Sequence, residues 1–277
     1  MVESNFESLT KLCGGHLLGS PTSIYGPPKA GKSILLYQFC YDFLKSGNVL
    51  WFDTEGGALE MLTHWKRRFD QRYGVNNSIR AYTSDPTEKE TLYLVECKSM
   101  KKILQLHGYQ TELELTGGKE SNPKINLRLL GTVENSIAKI VKRNNIRLVV
   151  YDSLSAPLRS AFAGGRLQFP ARSDAVALWL GSILEMTEDS PIAVYISLHE
   201  SYDPANPYAQ PHMRGPMVVQ YTSKVVFYLD PSRSTKPDLK STRRLWLARF
   251  FDIEDWKRYI KLKLTDEGYV DLGVGEE

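Results

Sequence analysis

The sequence predicts an α/β protein with a mostly parallel central sheet, helices on both faces of that sheet and an antiparallel extension at the C-terminal end. Three observations predict this class. Apolar strand-like runs alternate with helical runs in the first half of the chain, and β–α–β alternation implies parallel strands. A glycine-rich turn joins the first strand-like run to the first long helical run. Near the end, residues 244–250 and 259–264 have the pattern of an antiparallel pair.

The first of these elements surround a phosphate-binding loop. A strand at residues 22–25 and a helical run at residues 34–44 flank a complete G-x-x-x-x-G-K-S sequence. Its residues are Gly26, Pro27, Pro28, Lys29, Ala30, Gly31, Lys32 and Ser33, and we expect Ile34, the next residue, to contact the nucleotide as well. In such a loop the backbone N–H groups surround the phosphates, the lysine supplies positive charge and the serine hydroxyl binds Mg²⁺. A glycine turn before a core helix is the alternative, and the filled positions argue against it.

The rest of the chain continues the alternation with three interruptions. The regular elements are a strand at 49–52, a helix at 59–69, a strand at 79–83, a helical run at 86–104, a helix at 133–141, a strand at 146–152, a helix at 174–188 and strands at 192–197 and 224–229. Two alternating segments with glycines and a proline between them predict a hairpin insertion at about 109–130. Residues 153–172 and 199–216 show no period and are predicted to be irregular loops.

The composition of the chain excludes several classes of protein. The chain has 277 residues, 42% hydrophobic and 24% charged, which is ordinary for a globular protein and excludes fibrous and disordered classes. No stretch approaches a membrane span and no signal-peptide pattern opens the chain, so we expect a cytoplasmic protein. The length of the chain fits one domain over residues 1–277. The three cysteines are widely separated and argue against a disulfide framework or a zinc site. The net charge of +3 is too small to identify a nucleic-acid binder by itself.

Two acids complete a catalytic hypothesis. Asp152 ends an apolar strand, the arrangement that holds the magnesium ion opposite a phosphate loop, and a strand-end cap is the alternative. Hydrolysis also needs a group that polarises water. Glu55 follows the strand at 49–52 and is predicted at the same end of the sheet, whereas Glu60 and Glu90 fit solvated helix faces. We therefore predict Lys32 and Glu55 as catalytic residues and Ser33 and Asp152 as metal ligands.

Four segments resemble one family. The loop at 26–33, Phe-Asp-Thr-Glu-Gly at 52–56, Leu-Val-Val-Tyr-Asp-Ser-Leu-Ser at 148–155 and Leu-Thr-Asp-Glu-Gly at 264–268 are similar to the RecA/RadA recombinase superfamily, nearest its archaeal RadA paralogs. The resemblance spans most of the chain and is weak between about 84 and 131. It implies a RecA-like P-loop core, ATP and Mg²⁺ as cofactors, and Glu55 as the residue that activates water.

The resemblance also implies DNA-binding loops at about 156–173 and 200–216. The candidate contacts are Arg159, Arg166, Arg172 and Arg214, and single-stranded DNA is the favoured form. An ordinary solvated loop is the alternative for each. Further implied partners are a RadA-type recombinase or another paralog and a second copy of the chain, and the implied location is the cytoplasm near the nucleoid.

The chain departs from the family at three points, one of which is that residues 59–62 lack the arginine that RadA proteins place after the turn at 53–57. His199 stands where the recombinases place a glutamine that senses the terminal phosphate, so it is predicted to contact the nucleotide with a different reach. The chain also begins directly at the ATPase core, which makes long filaments unexpected. A neighbouring subunit is implied to supply a cation. Its candidates are Arg243, Arg249, Lys261 and Lys263, and an exposed strand face is the simpler interpretation of each.

The leading hypothesis is a DNA-stimulated ATPase that assists or regulates homologous recombination and repair. Two alternatives stay open. One is a KaiC-like signalling ATPase that does not bind DNA. The other is a nucleotide-gated adaptor whose hairpin insertion binds a partner protein.

Overall fold

A computed structural model describes residues 1–82, 90–116, 124–161, 169–201, 211–213, 216–231, 240–251 and 253–276. The helices are α1 (Glu7–Cys13), α2 (Lys32–Leu44), α3 (Ala58–Tyr73), α4 (Met100–Leu106), α5 (Ser136–Arg143), α6 (Ser155–Ala161), α7 (Phe169–Asp189) and α8 (Met217–Thr222). The strands are β1 (Pro21–Gly26), β2 (Asn48–Asp53), β3 (Ser78–Ala81), β4 (Thr91–Glu96), β5 (Tyr109–Thr116), β6 (Lys124–Thr132), β7 (Ile146–Asp152), β8 (Ala193–Ser201), β9 (His212–Met213), β10 (Val225–Pro231), β11 (Thr242–Phe250), β12 (Ile253–Glu254), β13 (Arg258–Thr265) and β14 (Gly268–Glu276).

The main sheet is mixed, and its central strands are parallel. Its order is β14-β13-β11-β10-β1-β8-β7-β2-β4-β3, with β9 beside β8 and β12 beside β11. The strands from β10 through β3 pair in parallel, whereas β11, β13 and β14 are antiparallel. The predicted α/β class with an antiparallel C-terminal extension is confirmed.

Each face of the sheet is covered by helices. On one face, Tyr37 of α2 packs against Trp51 of β2 and Phe69 of α3, and all three are fully buried. On the other face, Trp179 of α7 packs with Tyr151 of β7. Burying a large apolar side chain contributes roughly 1.5–3 kcal/mol. These two cores fix the strands, so the carboxyl ends of β1, β2, β7 and β8 meet at one edge.

One predicted helix is wrong. The helical run expected at 86–104 contains the strand β4, which lies between β2 and β3, and the helix α4 begins only at Met100. Thr91 through Leu94 are buried in the sheet. A short apolar run does not distinguish a buried strand from a buried helix by its period.

Two other predictions change at their boundaries, and two elements were not predicted. Part of the irregular segment expected at 153–172 is helical, since α6 spans Ser155–Ala161 and α7 begins at Phe169. The strand β8 continues to Ser201, beyond the predicted end at residue 197. The helix α1 and the strand β14 were not predicted. The strand β14 contains Gly273 and Gly275, which weaken the strand pattern.

The alternating segments form the hairpin β5–β6. Its register runs from Tyr109 opposite Thr132 to Thr116 opposite Lys124. The hairpin is a separate two-stranded sheet, and its strands contact α4 and α7. That the chain is one domain with this hairpin as an insertion stays a prediction.

Candidate active site

The phosphate loop connects β1 to α2. Lys29 and Gly31 of this loop have left-handed backbone φ angles of 64° and 99°. A Cβ atom on Gly31 would lie 2.2 Å from the Tyr269 hydroxyl oxygen, so a side chain would not fit there. No side chain caps the start of α2. The first N–H groups and the positive dipole end of this 13-residue helix are therefore oriented toward an anion in the loop.

Lys32 is folded back over the loop. Its Nζ donates hydrogen bonds to the carbonyl oxygens of Gly26 and Pro27, each at 2.9 Å. The residue is buried. Burial lowers the pKa of the Lys32 ammonium, and the nearby charges of Asp152 and Glu55 oppose that effect. The ammonium is thus already positioned at the loop, on carbonyl partners that phosphate oxygens can replace.

Asp152 ends β7 next to the loop serine. Its carboxylate accepts hydrogen bonds from the hydroxyl groups of Ser33 and Ser197. Burial raises the pKa of Asp152, and the two serine hydrogen bonds partly offset this. A carboxylate beside a hydroxyl is a donor set that suits Mg²⁺ when phosphate oxygens complete it. The metal ligands predicted from the sequence are therefore neighbours in the fold.

Glu55 lies in the turn after β2. In the sheet register Asp53 is directly opposite Asp152, which brings Glu55 to the same edge. The carboxylate of Asp53 accepts hydrogen bonds from the backbone N–H groups of Glu55, Gly56 and Ala58, and so shapes this turn. The side chain of Glu55 is 44% exposed. It can reach solvent while its backbone is held.

Glu55 is hydrogen-bonded to His199 and Ser153. Its Oε1 lies 2.9 Å from His199 Nε2 and 2.6 Å from Ser153 Oγ. The His199 hydrogen bond is the main reason that the pKa of Glu55 falls to about 2. Ser153, a residue that sequence reasoning did not select, is buried. Its only signal in the sequence was its position directly after Asp152.

His199 lies beside the loop. It is opposite Gly26 in the parallel register of β8 and β1, and its backbone N–H donates to Ser155 Oγ at 3.0 Å. Its side chain was expected to contact the nucleotide. In the structure the described partner of its Nε2 is Glu55. The buried Nδ1 has no hydrogen-bond partner among the residues that the structure describes.

The comparisons with known proteins agree with this geometry. A family profile described as an AAA domain matches residues 2–164, more than half of the chain, including the loop, Glu55 and Asp152. The chain belongs to the AAA domain family.

Two DNA repair and recombination proteins called RadB are similar to this AAA protein. The one from Methanocaldococcus jannaschii is 26% identical over 165 residues, covering 56% of this chain and 76% of the relative. The one from Methanosphaera stadtmanae is 25% identical over 173 residues, covering 55% of this chain and 68% of the relative. The crystal structure of the RadB recombinase matches with a TM-score of 0.62 at 19% identity, over 98% of this chain and 100% of the other. The resemblance to the RecA/RadA superfamily and its RadA paralogs is confirmed.

Of the four arginines predicted to bind DNA, the structure describes Arg159 and Arg172. Arg159 lies on α6, where it is exposed and close enough to lower the pKa of Glu55 by its charge. Arg172 is on α7 and partly buried. Arg166 and Arg214 lie outside the described residues.

Two strands of the C-terminal extension contact the loop. Arg243 Nε of β11 and Tyr269 Oη of β14 both donate to the Ala30 carbonyl oxygen, at 3.0 and 2.9 Å. Arg243 was a candidate cation for a neighbouring subunit, but its Nε binds its own loop. The signal for Tyr269 was its place after the Leu-Thr-Asp-Glu-Gly segment.

A further cation lies at the site. The Nζ atom of Lys98 lies close to Gly56. A Cβ atom placed on Gly56 would be 2.7 Å from this nitrogen. Lys98 follows β4, the strand that was predicted as helix, and so its position at the sheet edge could not be anticipated.

Two absences among the described residues bear on other classes of site. No helix within them is long and apolar enough to cross a bilayer. They also contain no group of three or more His, Cys, Asp or Glu side chains arranged around a metal position.

Proposed function

We propose that this protein is a Mg²⁺-dependent, DNA-stimulated ATPase that binds DNA and assists or regulates homologous recombination and repair. One arrangement carries the proposal. Ser33, Asp152 and Glu55 meet at the uncapped start of α2, next to Lys32. An ATPase needs a phosphate cradle, a metal site and a water-polarising carboxylate in one place.

The residues present fit ATP and magnesium. Residues 26–34 would hold the phosphates, with Lys32 exchanging the Gly26 and Pro27 carbonyls for phosphate oxygens. Ser33 and Asp152 would hold Mg²⁺, which when bound draws charge from the outer phosphate oxygens. His199, beside Gly26, is proposed as a nucleotide contact. Arg243 is hydrogen-bonded to Ala30 and would keep the loop backbone in place.

Glu55 is proposed as the general base. Its carboxylate is ionised at neutral pH, because its pKa is about 2. An ionised carboxylate near the outer phosphate can orient a water molecule and accept its proton. A low pKa makes a weaker base, so Glu55 would act by orienting the water as well as by accepting its proton, and we expect modest turnover.

The DNA part of the proposal has two supports. The two relatives with 26% and 25% identity are described as DNA repair and recombination proteins. Arg159 is an exposed cation near the carboxyl edge of the sheet, and phosphate contacts from cations give salt-dependent affinity. We extend the DNA contact to Arg166, Arg172 and Arg214 by their family positions, with single-stranded DNA as the preferred form.

The setting follows from the same resemblance. We propose a cytoplasmic, nucleoid-associated protein, one domain over residues 1–277, that works with a RadA-type recombinase or another paralog. Association with a second copy of the chain is also proposed.

ATP turnover measured with and without Mg²⁺ and single-stranded DNA tests this function. We expect hydrolysis that needs Mg²⁺ and rises when DNA is added. ATP turnover that does not change when DNA is added, together with no DNA mobility shift in a gel, would support the signalling ATPase. Nucleotide binding without turnover, even with DNA present, would support the adaptor.

A gel-shift titration across a salt series tests the DNA surface. Replacing Arg159, Arg166 and Arg172 with Ala should weaken binding and reduce the salt slope by about one for each arginine that binds a phosphate. The matched control is Lys45→Ala, which also removes an exposed charge but lies just before the amino end of β2, at the opposite sheet edge. An equal effect in the control would show that only net charge matters.

A further inference from the structure

The Glu55 carboxylate is held asymmetrically. Ser153 Oγ donates to it at 2.6 Å, and His199 Nε2 lies 2.9 Å from it. Both contacts are made to the same oxygen, Oε1. Each carboxylate oxygen has two lone pairs, so these two contacts use the accepting capacity of Oε1. Among the described residues none donates a hydrogen bond to Oε2.

The two donors are fixed by the sheet. Ser153 follows β7 and His199 belongs to β8, while Glu55 follows β2, and these three strands are adjacent. The backbone of Ser153 is held because its carbonyl oxygen accepts a hydrogen bond from Thr54 Oγ1. The backbone of His199 is held by Ser155 Oγ. Neither donor depends on a mobile surface side chain for its position.

We infer that Ser153 and His199 are positioning residues that occupy Oε1 of Glu55, so that Oε2 is the oxygen that takes the proton from the attacking water. This inference rests on the proposed ATPase function and names the atom that carries it out. In the step, the proton passes from water to Oε2 and the water oxygen bonds to the outermost phosphorus. The bond from that phosphorus to the bridging oxygen breaks, which leaves ADP and phosphate.

The physical reason is rotation of the carboxylate. The terminal torsion of glutamate is soft and roughly two-fold, so an unheld carboxylate exchanges its two oxygens. Two donors on one oxygen select one orientation and hold the other oxygen toward solvent. Misplacement of a reacting group by about 1 Å costs on the order of a hundredfold in rate. Removing one of two donors should therefore cost less than removing both.

Steady-state ATP kinetics of variants test this inference. Ser153→Ala should lower kcat about tenfold and leave KM for ATP within about twofold, because it disturbs the base and not the phosphate loop. His199→Gln keeps a side-chain donor and should retain more activity than His199→Ala. The double variant Ser153→Ala/His199→Ala should lose on the order of a hundredfold.

Ser46→Ala is the matched control, because Ser46 is an exposed serine after α2, at the opposite edge of the sheet. It should keep the wild-type kcat. Thermal melts identify any variant that is unfolded. A nitrogen-15 spectrum of the imidazole provides a readout that is independent of turnover. The His199 Nε2 resonance should move in Glu55→Gln and stay in place in Ser46→Ala.

The outcomes separate the two claims. Two results would overturn the positioning role and leave the ATPase assignment in place. One is a folded Ser153→Ala protein with the wild-type kcat, and the other is a His199 Nε2 resonance that does not move in Glu55→Gln. A wild-type protein that hydrolyses no ATP would overturn both.

Discussion

The hydroxyl of Tyr269 donates a hydrogen bond to the carbonyl oxygen of Ala30 at 2.9 Å, so the last strand of the sheet contacts the phosphate loop directly. Gln38 of α2 fixes that strand from the other side, because its side chain bonds both the backbone N–H and the carbonyl oxygen of Tyr269. The antiparallel extension therefore supports the loop and the first helix together. Residues that are 239 positions apart determine the shape of one turn.

Tyr269→Phe should weaken this support. The side chain is fully buried, and burial raises the pKa of its hydroxyl to about 12, so the variant removes a neutral hydroxyl donor. Arg243 still satisfies the Ala30 carbonyl, and we expect a decrease of about 1 kcal/mol in the free energy of unfolding. Urea unfolding measures it, and nucleotide affinity should fall a few-fold. Tyr221→Phe, at a 58% exposed tyrosine, should change neither quantity.

Gly31→Ala should damage the loop more severely. The backbone φ of 99° disfavours any L side chain, and the added methyl would meet the Tyr269 hydroxyl at 2.2 Å. We expect destabilisation of more than about 1 kcal/mol and loss of nucleotide binding by calorimetry. Gly181→Ala in α7 is the control, since nothing lies within 4 Å of its added methyl. It should stabilise the protein by about 0.5–1 kcal/mol. Equal effects in both variants would contradict this explanation.

The residues proposed to be catalytic could be predicted from the sequence because their signals are local. The loop, Asp152 and Glu55 each follow a strand in an easily recognised order, and parallel pairing then brings them to one edge. The segment after residue 84 lacked such a signal. Thr91 through Leu94 are apolar or neutral on both faces of β4, and that pattern fits a buried strand or a buried helix equally well. Because this segment was predicted as helix, the position of Lys98 at the edge of the sheet was not predicted.

The long-range contacts of the site could not be predicted from the sequence for a different reason. The hydrogen bonds of Ser153 and His199 to Glu55 join residues 98 and 144 positions apart. Only the strand order β8-β7-β2 brings them together, and no local pattern specifies that order. The same holds for Arg243 and Tyr269 at Ala30.

The pH dependence of stability should reveal the hydrogen bond between His199 and Glu55. The pKa of Glu55 is about 2 in the fold, below its ordinary value, mainly because His199 hydrogen-bonds the carboxylate. A lowered carboxylate pKa contributes stability that is fully present above the unfolded pKa and is lost as pH falls toward the folded value. We therefore expect stability to decline between about pH 5 and pH 2. Glu55→Gln should flatten part of this decline in chemical unfolding curves, and an unchanged curve would contradict the hydrogen bond.

A buried hydrogen-bonded pair near the N-terminus should contribute far more to stability than an exposed ion pair. His16 Nε2 lies 2.6 Å from Asp42 Oδ2, and the two side chains are 0% and 1% exposed. His16→Ala would leave the Asp42 carboxylate buried with fewer partners, and we expect destabilisation of about 3 kcal/mol or more. The pair of Lys11 and Glu7 is 69% and 86% exposed. Glu7→Ala should cost less than about 0.5 kcal/mol in the same thermal and urea unfolding experiments.

The proposed role of Glu55 as the base in ATP hydrolysis can be measured in the variant Glu55→Gln. A single-turnover measurement with Mg²⁺ and labelled ATP, alongside equilibrium nucleotide binding, separates binding from hydrolysis. Lys32→Ala is the comparison, and it should lose nucleotide binding and turnover together. We expect Glu55→Gln to bind ATP as the wild type does and to hydrolyse it at least a hundredfold more slowly, on the order of a general-base contribution. Hydrolysis by Glu55→Gln at the wild-type rate would contradict this role of Glu55.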